Sequence, residues 1–202
     1  MEPVDVHGER VLVQPVKGDG LRIWRRARET HPDRYPVLVL DAEDALEPDY
    51  RHRDSPADIL ARADRVVLPA PPPRDRGTGD EGYHLDRYDV AHHGEPELLV
   101  LLPRPEPWAA FAYLDSWCHL SGWKPEVLVA AARDWHTRYG AEPTVIGLAC
   151  GFEVSRPPTG PADAERLAAE HQLFAPLTAG TTELAYARAL PQLRRWCLYN
   201  RP

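Results

Sequence analysis

The sequence predicts an α/β chain of the α+β kind, a mixed sheet of five or six strands flanked by helices. Three observations point there. Short Val/Leu-rich runs recur at 35–41 and 97–103, as expected of strands buried on both faces. Stretches with apolar residues at i, i+3 and i+4, the stripe of a half-buried helix, alternate with strand-like runs. The 202 residues, 43% apolar and 27% charged, suffice for one substantial core.

Taken in order, Arg10–Pro15 reads as a short strand ended by its proline. Gly18-Asp19-Gly20 then turns the chain into a helix with Leu21, Trp24, Ala27 and Arg28 near one side. Tyr35–Asp41 is a buried strand, and strand, helix, strand at this spacing permits a right-handed parallel crossover. Ser55 caps a helix that has Pro56 in its first turn and Ile59, Leu60 and Ala63 facing inward. Arg65–Leu68 is a further strand candidate. Residues 69–96, rich in Pro, Gly, Asp and His and without apolar period, are expected to be a flexible loop. They separate an N-terminal βαβα half (1–68) from a C-terminal half (97–202), the two expected to form one domain.

Glu97–Pro103 is a central strand, followed by an aromatic-rich segment holding Trp108, Phe111, Tyr113, Trp117 and Trp123. Pro125–Tyr139 is the organising helix. Its stripe is Val127, Leu128, Ala131, Ala132, Trp135 and Tyr139, Pro125 suits its first turn, and Gly140 can take the left-handed conformation that stops it. Two strands follow, Thr144–Leu148 and Phe152–Arg156, with the turn placed around Gly151. A helix starts near 159–161 and runs to about Phe174, with Ala164, Leu167, Ala168 and His171 on one side. Thr181 or Thr182 caps a last helix through Ala189, and Arg195–Tyr199 is the last strand.

Part of this stretch carries a family pattern. Trp135, Tyr139, Gly140, Ala141 and Glu142 spell W-x-x-x-YGAE; Phe152-Glu153-Val154 and Arg156-Pro157-Pro158-Thr159 follow, then Ala164-x-x-Leu167-Ala168-x-Glu170. From about Leu98 to its end the chain resembles the bacterial family known as domain of unknown function 4253. The resemblance implies a fold and no activity. Where the family has a G-G-W-N-x-C-P motif, this chain has Ser121-Gly122-Trp123-Lys124-Pro125, and the family's Cys-Pro-Asp step is Ala175-Pro176-Leu177. If those polar positions form a family site, this member has lost much of it.

Composition excludes several functions. A net charge of −7 argues against general affinity for nucleic acid or anionic membrane. No apolar run approaches bilayer-spanning length, and the start lacks the basic and apolar regions of a signal peptide. Cys118, Cys150 and Cys197 are odd in number and widely spaced, which supports neither a disulfide framework nor a zinc knuckle and makes a reducing cytoplasm the expected compartment. Phosphate-loop, dinucleotide, zinc-protease and serine-hydrolase signatures are absent.

Several constellations have a bland and a sharp reading. His84, Asp86, Asp89, His92 and His93 could ligate a metal, yet nothing fixes their loop, so no metal and no cofactor is expected. Cys118 beside His119 reads as a small buried residue rather than a nucleophile, and His171 as a hydrogen-bonded core histidine. Arg22, Arg25, Arg26 and Arg28 read as a solvated face, or as a dock for an acidic partner or a phosphate. Trp117, Trp123, Glu153 and Arg156 are the candidate binding residues; Trp117, Trp123 and Arg156 are expected to share a rim of indoles beside a guanidinium, and Glu153 to face solvent or a groove. The function expected is therefore a non-catalytic protein-binding or regulatory module, of which a toxin-neutralising protein is one type, with an unidentified protein partner. The alternative is a small-molecule enzyme using Glu153, Arg156, His136 or His171 in a cleft beside the Trp-rich segment.

Overall fold

A seven-stranded mixed sheet, in the order β1-β2-β4-β3-β5-β6-β7, organises the computed structural model, which describes residues 1–41, 54–71, 95–176 and 182–199. The strands are β1 (Glu2–Val6), β2 (Glu9–Pro15), β3 (Tyr35–Val39), β4 (Leu98–Leu102), β5 (Ala141–Ile146), β6 (Ala149–Val154) and β7 (Arg195–Tyr199). All neighbouring pairs are antiparallel except β3 with β5. The sheet therefore exceeds the expected five or six strands. The unforeseen strand is β1, whose sequence EPVDV is polar because it lies at the sheet edge with most of its residues exposed.

Two other expectations are corrected. Arg65–Leu68 forms no strand: the chain leaves its helix at Asp64, and Val67 stands 91% exposed. The hairpin turn falls at Gly147-Leu148, and Gly151 lies inside β6 opposite Val145. A Cβ on Gly147 would come within 2.7 Å of Leu40, so close approach to the residue just after β3 selects glycine there. The parallel crossover does join β2 to β3, with β4 inserted between them. The expected loop at 69–96 and its histidines fall mostly on 72–94, outside the described residues.

Among the described residues seven α-helices accompany the sheet: α1 (Gly20–Thr30), α2 (Pro56–Ala63), α3 (Ala110–Tyr113), α4 (Ser116–Ser121), α5 (Pro125–Tyr139), α6 (Pro161–Phe174) and α7 (Glu183–Ala189). Their starts follow local chemistry. Asp19, Ser55 and Thr182 each accept a bond from a first-turn amide, and Pro opens α2, α5 and α6. Gly140 ends α5 at φ 59°, its amide bonded to the His136 carbonyl at 2.8 Å.

Helices pack on both faces of the sheet, α5 and its neighbours on one and α1 on the other. On one face Phe152 meets Trp135 of α5, Phe111 of α3 and its cross-strand partner Trp196. Trp135, 3% exposed, is central: its ring touches His171 and Phe174 of α6, and its indole N–H donates to Glu170 at 3.0 Å. On the other face α1 crosses β3, and buried Trp24 donates to the Pro36 carbonyl at 2.8 Å and packs edge-on against Tyr35. Because side chains alternate along β6, Phe152 faces α5 while Glu153 faces α1.

Candidate functional site

That alternation creates the most distinctive polar feature of the fold. Glu142 and Glu153 lie directly opposite each other on β5 and β6. Two carboxylates in this position repel, and an uncompensated pair would weaken the hairpin. Helix α1 supplies the compensation: Arg28 grips Glu142 with two nitrogens, at 3.1 and 3.2 Å, and Arg25 pairs with Glu153. Arg25 and Arg28 are three apart, hence on one side of the helix, and Arg28 also lies over the Tyr35 ring. The arginine cluster of α1 is thus divided. Arg22 and Arg26 remain exposed, while Arg25 and Arg28 dock an acidic pair inside the same chain.

Beside these pairs opens a cleft of about 510 Å³, at the end of the sheet where β5 begins, β6 ends and β7 begins. Trp24 and Arg25 line it from α1, His136 and Gly140 from the end of α5. Glu142, Glu153 and Ser155 line its floor, and Arg156, Arg194 and Arg195 complete the wall. Four guanidiniums against two carboxylates leave the lining with a surplus of positive charge, on a chain whose net charge is −7. Arg156 donates to the carbonyls of His136 and Thr137 at 3.2 and 2.9 Å, capping the negative end of α5. Arg194 donates to the Ser155 carbonyl at 3.1 Å. His136 meets the Ala141 carbonyl through Nδ1 at 3.2 Å, which assigns the proton to that nitrogen. Glycine is favoured at position 140 by its left-handed φ of 59°, and a Cβ there would also require the Ser155 hydroxyl, 2.0 Å away, to swing aside.

The cleft gathers three of the four residues named for an enzyme, Glu153, Arg156 and His136, and leaves out His171. That imidazole is fully buried behind the sheet, its Nδ1 bonded to the Tyr186 hydroxyl at 2.8 Å, and its ring between Trp135 and Trp196. Burial, helped by the charge of Arg138, lowers its pKa to about 3, so it is neutral near pH 7. Burial likewise pushes the thiols of Cys118 and Cys150 well up, and all three cysteines are buried.

The expected rim of Trp117, Trp123 and Arg156 is not assembled. Trp117 is 1% exposed and belongs to the core. Trp123 packs on Phe174 at 5.0 Å, ahead of the start of α5. Arg156 is bound at the other end of that helix, about 20 Å away at 1.5 Å per residue. Sequence reasoning missed Trp24, Arg25, Arg194 and Arg195 as cleft residues. A register with the turn at Gly147-Leu148 would have placed Glu142 opposite Glu153 and called for two cations.

Among the described residues no helix is long and apolar enough to cross a membrane, and no group of three or more His, Cys, Asp or Glu side chains is arranged to hold a metal. A family model described as a domain of unknown function (DUF4253) matches residues 98–199. No curated protein and no solved structure matches the chain. The matched residues include both carboxylates and three arginines of the cleft, whereas Trp24 and Arg25 come from outside them.

Proposed function

The chain belongs to the DUF4253 family, and from that premise we propose that it is a non-catalytic, regulatory protein-binding module that takes an acidic segment of its partner into the arginine-ringed cleft. The observation that carries this reading is the surplus of guanidinium groups in the lining. Arginine is enriched in binding hot spots, and its planar fork suits carboxylate recognition. The groups a catalyst would use are otherwise engaged: Glu153 and Glu142 lie in ion pairs, and the cysteines are buried.

Charge reversal tests the reading. Proteins retained from native lysate by the wild-type chain are compared with those retained by Arg194→Glu, which changes an exposed residue and should leave the fold intact. Loss of one specific partner supports the cleft as its contact surface, and an unchanged set of partners sinks it. A second reading, an enzyme on a small anionic substrate, draws on the presence of His136, Glu153 and Arg156 in one cleft. It requires chemical turnover of a cleft-bound molecule, abolished by His136→Gln.

A further inference from the structure

We propose that the group the cleft selects on its ligand is a phosphate monoester, with the guanidiniums of Arg156 and Arg194 as its principal donors. The inference rests on the cleft being the contact surface, and names the chemistry that surface recognises. The four lining arginines are not equivalent. Arg25 is held by Glu153, and Arg195 stands across the strand pair from the same carboxylate. Arg156 and Arg194 bond only neutral backbone carbonyls among the described residues, so their charges have no carboxylate partner there. Each bond to those carbonyls uses an N–H of one Nη atom, and a guanidinium carries five N–H donors in all.

The backbone holds these two arginines next to each other. The Val154 amide donates to the Arg194 carbonyl at 2.8 Å, continuing the β6–β7 ladder beyond its last paired residues. Arg194 then reaches across to the Ser155 carbonyl, while Arg156 is tied to the end of α5. Both side chains therefore lie beside Ser155, whose exposed hydroxyl donates to the Gly140 carbonyl at 3.5 Å in the same wall of the cleft.

Charge and valence separate the possible ligand groups. A carboxylate brings one negative charge and two oxygens, and would leave one of the two guanidiniums uncompensated. A phosphate monoester brings a charge of about −1.5 to −2 and three acceptor oxygens, enough to meet both forks together. The two positive charges of Arg156 and Arg194, which bond only backbone carbonyls among the described residues, match that dianion. Extended polyanions are disfavoured, because the cleft is a local cationic site on a chain of net charge −7.

The test is a titration of the full chain with N-acetyl-O-phosphoserine amide, N-acetylglutamate amide and glucose 6-phosphate at constant ionic strength, following the arginine Nε–H signals by NMR. The phosphoserine compound should produce saturable shifts at Arg156 and Arg194, with an affinity about tenfold or more above the glutamate compound. Arg194→Gln should abolish the saturation with the amide spectrum otherwise preserved, and Arg194→Lys should restore part of it. Equal affinity for phosphoserine and glutamate compounds would overturn the phosphate class and leave the acidic-partner reading standing. Saturation that survives Arg194→Gln, or no saturable shift at all, would overturn the site. Tighter binding of glucose 6-phosphate than of the phosphoserine compound would assign the group to a free sugar phosphate and overturn a protein source. Partner capture indifferent to Arg194→Glu would strike the parent reading alone.

Discussion

The His171 imidazole makes the stability of this protein depend on pH in a calculable way. In the folded chain it is fully buried, bonded to Tyr186 and enclosed by Trp135 and Trp196, and its pKa is lowered from 6.5 to about 3 by burial first and Arg138 second. The unfolded chain accepts a proton near the ordinary value, while the folded chain refuses it until about 3. Protonation therefore favours the unfolded state, and the loss of stability begins as pH falls below 6.5 and accumulates down to about 3. Each pH unit inside that window costs about 1.4 kcal/mol. Between about pH 7.5 and about pH 5 this one group should remove about 2 kcal/mol. Urea unfolding of the wild type and of His171→Gln at both pH values isolates the effect, since glutamine does not titrate and can still meet the Tyr186 hydroxyl. The wild type should lose about 2 kcal/mol more than the variant over this interval. Equal losses would refute the buried, neutral histidine.

Trp135→Ala should destabilise by about 3–5 kcal/mol, because it empties the junction of Phe152, His171 and Phe174 and removes the donor to Glu170; a chemical denaturation midpoint close to wild type would show that this junction is not the core. Arg156→Ala should lower stability by about 1 kcal/mol, since two exposed bonds to the end of α5 are lost, and Arg156→Lys should recover only part of it; a melting temperature unchanged in both would remove the capping role. Native protein at neutral pH should leave Cys118, Cys150 and Cys197 unreacted with a disulfide reagent, and all three should react once denaturant is added; rapid stoichiometric labelling of the native chain would contradict their burial.

The sequence alone determined the local elements of this protein. The helix Pro125–Tyr139 carries its own start, stripe and stop, and Ser55 and Thr182 cap helices that begin one residue later. The buried strands at 35–39 and 98–102 announce themselves through the Val/Leu runs at 37–40 and 98–102. Such signals span a few residues, so they can be read without knowing what lies across the core. The edge strand β1 had no such signal, since most of its residues face solvent. Only the tertiary structure decided the cleft. Its ion pairs join residues 114 and 128 positions apart, and they form because the sheet order sets β3 beside β5 and so lays α1 over the β5–β6 hairpin. The same order buried Trp117 and sent Trp123 and Arg156 to opposite ends of α5. Periodicity states that a side chain has an inner face, but the partner on that face depends on long-range pairing, which no short stretch of sequence contains.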